Sequence, residues 1–298
     1  MRNDFFTRWD FWWCRSAPPH VMAILRIAFG LFLLIEAATY LPFVPEMFSK
    51  EGLVMSMNLS QFPDMFAKIL KPPPVWAAWL FACAYVAALL MLITGTFMRA
   101  AIVILILLFW YYWQLSFHLF PSSYHRLFFF TLWVLLFSGA DKTFSVRMFF
   151  KRGSFFAWDP ISILPQRLIS IQMTATYLGV GWQKLWLPTW QGGEVLPYSL
   201  ITRWGSPSAF WMVSQNWPMW VYDTMNWTVK VFECLMPFGL WVPRLQWLFF
   251  AGGLVFHLSI AILLEIWWFL VLVPAYIVFL SPEDVYNTLK RHSRGRIP

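Results

Sequence analysis

Residues 75–95 read VWAAWLFACAYVAALLMLITG, a stretch without one charged side chain. About 20 apolar residues in a helix cross the roughly 30 Å hydrocarbon core of a bilayer. Pro72, Pro73 and Pro74 stand just before it and mark where the helix starts. Working outward, similar runs occupy 21–41, 100–120, 126–139, 161–186, 221–241, 247–266 and 267–280. The run at 126–139 and the final one are short, and the last two nearly touch. The predicted class is therefore an all-α polytopic membrane bundle of about 8 transmembrane helices, with seven as the smaller count.

Composition agrees with this reading. The chain has 298 residues, 60% hydrophobic and 12% charged, against about 25% charged in a globular domain. Its 21 Trp cluster near segment ends, where aromatic belts form. The net charge of +8 is spread over short loops, which fits the positive-inside rule and not a nucleic-acid surface. Counting Lys and Arg by segment puts both termini on the cytoplasmic side of a plasma membrane, and the long loops 42–74 and 187–220 on the other. Residues 1–20 read as an amphipathic interfacial segment, 21–282 as the transmembrane domain and 283–298 as a basic cytoplasmic tail. The first apolar run is too long for a cleavable signal peptide. Cys14, Cys83 and Cys234 form no CxxC, and no HExxH or other ligand spacing appears, so neither a disulfide framework nor a metal is expected.

Ionisable residues inside apolar runs are the functional candidates. Arg26 and Glu36 share the first run but lie nearly three turns apart, so each needs a partner from another helix. Lys230 and Glu233 stand at i, i+3 and can neutralise each other. His257 follows Gly252 and Gly253, which let another helix approach closely, and Glu265 lies two turns further on. His118 and His125 flank the turn before residues 126–139. Lys184 ends the run 161–186 and reads either as an interfacial anchor or as a base. In the predicted layout Glu36, His118, His125, Lys184 and Glu265 fall toward the outer face, with His257 just below, and would form an outward-opening pocket. Burial disfavours the charged form of an amine, and a neutral lysine is a usable general base.

Several motifs occur in order: Arg26-Ile-Ala-Phe-Gly30, Phe48-Ser-Lys-Glu-Gly-Leu-Val54, Gly139-Ala-Asp141-Lys-Thr-Phe-Ser-Val146, Tyr177-Leu-Gly-Val-Gly-Trp-Gln-Lys184-Leu with Trp190-Gln-Gly192, Glu233-Cys-Leu-Met-Pro237 and Phe256-His257. Over roughly 20–282 the chain resembles the HTTM domain, the membrane domain shared with vitamin K-dependent gamma-carboxylases. In those enzymes a lysine in the Tyr…Lys-Leu…Trp…Gly motif is the proposed base toward vitamin K hydroquinone, and Lys184 falls on it. The resemblance implies reduced vitamin K or menaquinol as cofactor, with Lys184, His257, Glu36 and His125 as catalytic candidates. Arg26, Tyr177, Trp190 and Glu265 are the candidate cofactor contacts. Two departures stand out. The carboxylases' Asn-His-Ser segment is replaced by Pro121-Ser122-Ser123-Tyr124-His125, and their large C-terminal region has no counterpart before Pro298. Both shift the expectation from protein carboxylation toward quinol chemistry alone. The other class left open is a non-catalytic membrane partner, a maturation, export or immunity factor for a secreted peptide or protein. A transporter is the weakest reading, because no pair of interrupted helices marks two halves.

Overall fold

The computed structural model describes residues 2–54, 70–115, 123–202 and 204–292. The chain divides into two compact units, Met1–Gln166 with Ser281–Pro298, and Arg167–Leu280.

The first unit opens with α1 (Arg2–Cys14), then α2 (His20–Tyr40) and the short α3 (Val44–Phe48). Next come α4 (Val75–Thr94), α5 (Met98–Leu115), α6 (Ser123–Ser138) and α7 (Val146–Arg152). Local chemistry sets these boundaries. Pro74 is extended and caps α4 at its start. Gly95 takes the left-handed conformation, φ 68°, and its N–H closes on the last carbonyls of the helix, a stop that favours glycine. The Ser145 side chain accepts from the Met148 N–H and starts α7, which Gly153 ends at φ 72°. A two-residue antiparallel ribbon pairs Ser16 with Ser162 and Ala17 with Ile161. The core is apolar, with Phe29, Leu89, Leu92, Ile102, Leu105, Phe128 and Leu135 buried. The C-terminal segment is helical through His292 as α14 (Pro282–His292). It is fastened to this unit by the Arg15–Glu283 ion pair and by Tyr286 against His20.

The second unit holds most of α8 (Leu164–Trp186), the short α9 (Val195–Ile201) and α10 (Pro207–Ser214), then α11 (Met219–Trp241) and α12 (Gln246–Leu264). The stretch 187–220, expected as a long loop, is thus partly helical, and Ser206 caps α10 by accepting from the Ala209 N–H. The last expected span is not one regular helix. It runs as a 3-10 segment Trp267–Val271, the single turn α13 (Leu272–Ala275) and a second 3-10 segment Tyr276–Phe279.

The described helices do not confirm a count of about 8 spans. Among the described residues four helical stretches are long and apolar enough to cross a membrane, namely His20–Phe48, Val75–Thr94, Met98–Leu115 and Gln246–Leu264. A fifth is added only if the broken segment after residue 266 is joined to the helix that follows it. The physical reasons differ from element to element. α6 is 16 residues long, short for the hydrocarbon core. α8 and α11 are each 23 residues long, but carry Gln166, Gln172, Gln183 and Lys184, and Asp223, Asn226, Lys230 and Glu233 respectively. The qualifying helices leave large apolar side chains such as Trp76, Leu80, Leu107, Leu248 and Val255 exposed, as surfaces facing lipid do. Only 11% of the apolar window of α12 is buried within the protein.

Candidate functional site

In the second unit α8 and α11 meet at a glycine. A Cβ on Gly181 would lie 2.9 Å from Cys234 Sγ and 3.1 Å from Glu233 Cβ, so the two backbones approach more closely than a larger residue allows. One turn further along α8, Lys184 Nζ therefore reaches both Glu233 carboxylate oxygens, at 2.6 and 2.7 Å. The side chains retain 15% and 7% of their exposure. The Lys184 ammonium also sits 4.5 Å from the centroid of the Trp190 ring, a cation–π contact. Glu233 thus pairs with Lys184 and not, as the i, i+3 spacing suggested, with Lys230.

Lys230 has a different task. It is fully buried, donates to the Trp190 carbonyl at 2.7 Å and lies 3.8 Å from the Trp227 ring centroid. Asn226, one turn earlier on α11, donates to the carbonyls of Trp190 at 3.0 Å and Gly192 at 2.8 Å. Gly193 completes the seam, because a Cβ there would lie 2.6 Å from the Asp223 backbone nitrogen. The 3-10 turn Pro188–Trp190 is thereby tied to α11 through its backbone.

Seven residues, about two turns, before Lys184 on the same face of α8, the buried Tyr177 hydroxyl bridges two partners. It lies 2.7 Å from His257 Nε2 on α12 and 2.7 Å from the Tyr276 hydroxyl. The close approach expected of the glycine pair is present. A Cβ on Gly253 would meet Met236 Cε at 2.6 Å and would also collide with the Tyr276 hydroxyl. His257 Nδ1 is buried without a hydrogen-bond partner. Chemically, the unit offers a desolvated ion pair beside an aromatic face, and a hydroxyl–hydroxyl–imidazole chain through which a proton can change places. Asn226 and Tyr276 were not among the expected site residues. Tyr276 left one signal, since a buried Tyr hydroxyl normally finds a partner.

Arg26 belongs to the first unit and is fully buried. Its guanidinium donates to the carbonyls of Leu92 at 3.1 Å and Phe144 at 2.7 Å, over the space that Gly95 leaves open, since a Cβ there would collide with the Arg26 guanidinium. Glu36 and His125 also line one cavity in the first unit, while in the second Lys184 meets Trp190 and Tyr177 meets His257. Glu265 is exposed and ends α12 with a left-handed backbone, φ 53°. His118 lies outside the described residues. Among the described residues no group of three or more His, Cys, Asp or Glu could hold a metal ion.

Comparison with known proteins complements this geometry. The family model described as the HTTM domain matches residues 14–283. No curated protein and no solved structure matches the chain. The match takes in both units and every motif on which the resemblance rested, including the Lys184, Glu233 and His257 segments. The chain is a membrane-associated protein that belongs to the HTTM domain family.

Proposed function

We propose that this HTTM protein accepts a proton from the hydroxyl of a quinol-like lipid at the Lys184–Glu233 pair. The observation that carries the reading is the pair itself, held with both Nζ–oxygen distances below 3 Å, capped by Trp190 and still partly exposed. A reduced quinone bound there would supply an acidic aromatic hydroxyl and a redox-active ring. Glu233 accepts the hydroxyl proton, the O–H electron pair stays on the oxygen, and the Lys184 ammonium remains beside the charge left behind. With the pair in its neutral form, Lys184 takes the same proton. One proton moves in either case, so the two groups act as a unit. Trp190 offers a flat apolar surface for an aromatic ring, and the unpartnered His257 Nδ1 offers a polar contact deeper in the unit. The basic residues Arg2, Arg8, Arg15, Lys142, Arg147, Lys151, Arg152, Lys290 and Arg291 support both termini lying on the cytoplasmic side.

The test is an anaerobic titration of vitamin K hydroquinone into detergent-purified protein, followed by the ultraviolet band of the ionised hydroxyl. Wild type binds and develops the band. Lys184→Met and Glu233→Gln bind but lose ionisation by about 100-fold or more, the usual weight of a positioned acid–base group. Well-folded wild type that leaves the hydroquinone unbound overturns the reading. The chain would then be read as a non-catalytic membrane partner of a secreted peptide or protein.

A further inference from the structure

The first unit contains a cavity of about 100 Å³ lined entirely by its own residues, among them Glu36, Tyr40, Tyr85, Tyr112 and His125. Glu36 is 6% exposed, and its Oε1 is buried with no hydrogen-bond partner among the described residues. A buried carboxylate without a counter-charge is costly. The other charge on the same helix, Arg26, is engaged by the backbone carbonyls of Leu92 and Phe144. Around the carboxylate the wall is aromatic. Phe48 packs on Tyr112 with centroids 5.0 Å apart, Tyr40 on Phe48 at 6.3 Å and Phe81 on Tyr112 at 6.4 Å. Ring faces carry negative potential and attract cations.

We propose that this cavity is a binding site for an organic ammonium head group, with Glu36 as counter-charge and the tyrosine rings as a cation–π wall. An inorganic cation fits poorly, because Ca²⁺ takes about six to eight oxygen ligands and the described lining contributes one carboxylate. A neutral ring would gain no charge pairing from Glu36, which an ammonium would. At about 100 Å³ the cavity is small, so it would take only the ammonium end of a ligand, with the rest of the ligand outside. The site lies apart in sequence from Lys184 and Glu233 and does not depend on the quinol reading.

The experiment is calorimetric titration of the full chain, in a detergent free of ammonium groups, with choline and with its neutral isostere 3,3-dimethylbutan-1-ol. Choline should bind saturably and the isostere at least about 10-fold more weakly, the lower end of what losing one partner of a buried charge pair does. Glu36→Gln should weaken choline by a similar factor. Ala82→Phe, which fills the cavity, should abolish it while leaving hydroquinone binding intact. The Ala82→Phe result decides the matter if Glu36→Gln does not fold. Displacement of choline by phosphatidylcholine nanodiscs would identify a lipid head, and no displacement a free small cation; both support the site. Equal binding of the isostere, undiminished binding by a folded Glu36→Gln, or no choline binding by wild type would overturn it.

Discussion

The two units handle buried ionisable groups differently. In the first, Arg26 is held by backbone, its guanidinium donating to the carbonyls of Leu92 and Phe144. The second unit holds Lys230 in the same way, on the Trp190 carbonyl, but adds side chains that satisfy side chains, as Lys184 does Glu233 and Tyr177 does both His257 and Tyr276. A carbonyl cannot change its protonation state near neutral pH, so the first arrangement holds helices in place and does little else. Paired titratable groups can exchange protons, so the second can take part in chemistry. The hydropathy pattern follows the same division. Three of the four qualifying spans belong to the first unit and one to the second, because α8 and α11 give up apolar positions to these pairs.

The sharpest way to break the comparison is to remove one member of the Lys184–Glu233 pair. Glu233→Ala should cost about 3–5 kcal/mol in an unfolding titration, since it strands a buried charge. The double change Lys184→Met with Glu233→Leu should recover most of that loss, while hydroquinone ionisation stays absent. Next in size is Arg26→Met, which removes two charge-assisted hydrogen bonds to the carbonyls of Leu92 and Phe144 and should cost about 2–4 kcal/mol without altering hydroquinone binding. Tyr177→Phe removes two hydrogen bonds and should cost about 1–2 kcal/mol. It would sharpen the comparison by slowing proton exchange at His257, read by NMR, with the fold intact. The smallest effect belongs to the surface. Lys151 above all, and then Arg152, hold the Asp159 carboxyl below the usual aspartate range. A depressed carboxylate stabilises above its unfolded pKa, about 3.9, and loses that contribution as pH falls through its folded value. The melting difference between wild type and Asp159→Asn should therefore be small at neutral pH and disappear in acid.

Much of the helical layout was legible because apolar runs and their punctuation are local signals. Val75 follows three prolines and Gly95 closes the run, and α4 runs from Val75 to Thr94. The pairing was less legible. Lys230 and Glu233 satisfied a local rule, yet Gly181 brings α8 close enough for Lys184 to reach Glu233 instead, and no spacing within one helix encodes that. Tyr276 was hidden for a related reason. Its run reads in the sequence as a short membrane span, whereas the segment is broken into short turns that bring the hydroxyl to Tyr177. Glu36 and His125 line one cavity of the first unit, a packing that membrane depth read from the sequence does not encode.

Trp190 is held by what every residue has and presents what only tryptophan has. Its carbonyl takes the hydrogen bonds of Lys230 and Asn226, while its indole covers Lys184. The tether does not read the identity of the side chain, so position 190 works as a fixed mount with an interchangeable face. Exchanging the indole for tyrosine, leucine or histidine changes what Lys184 meets and leaves the mount where it is. Evolution, or an engineer, can retune the surroundings of Lys184 at this position without redesigning the scaffold beneath it.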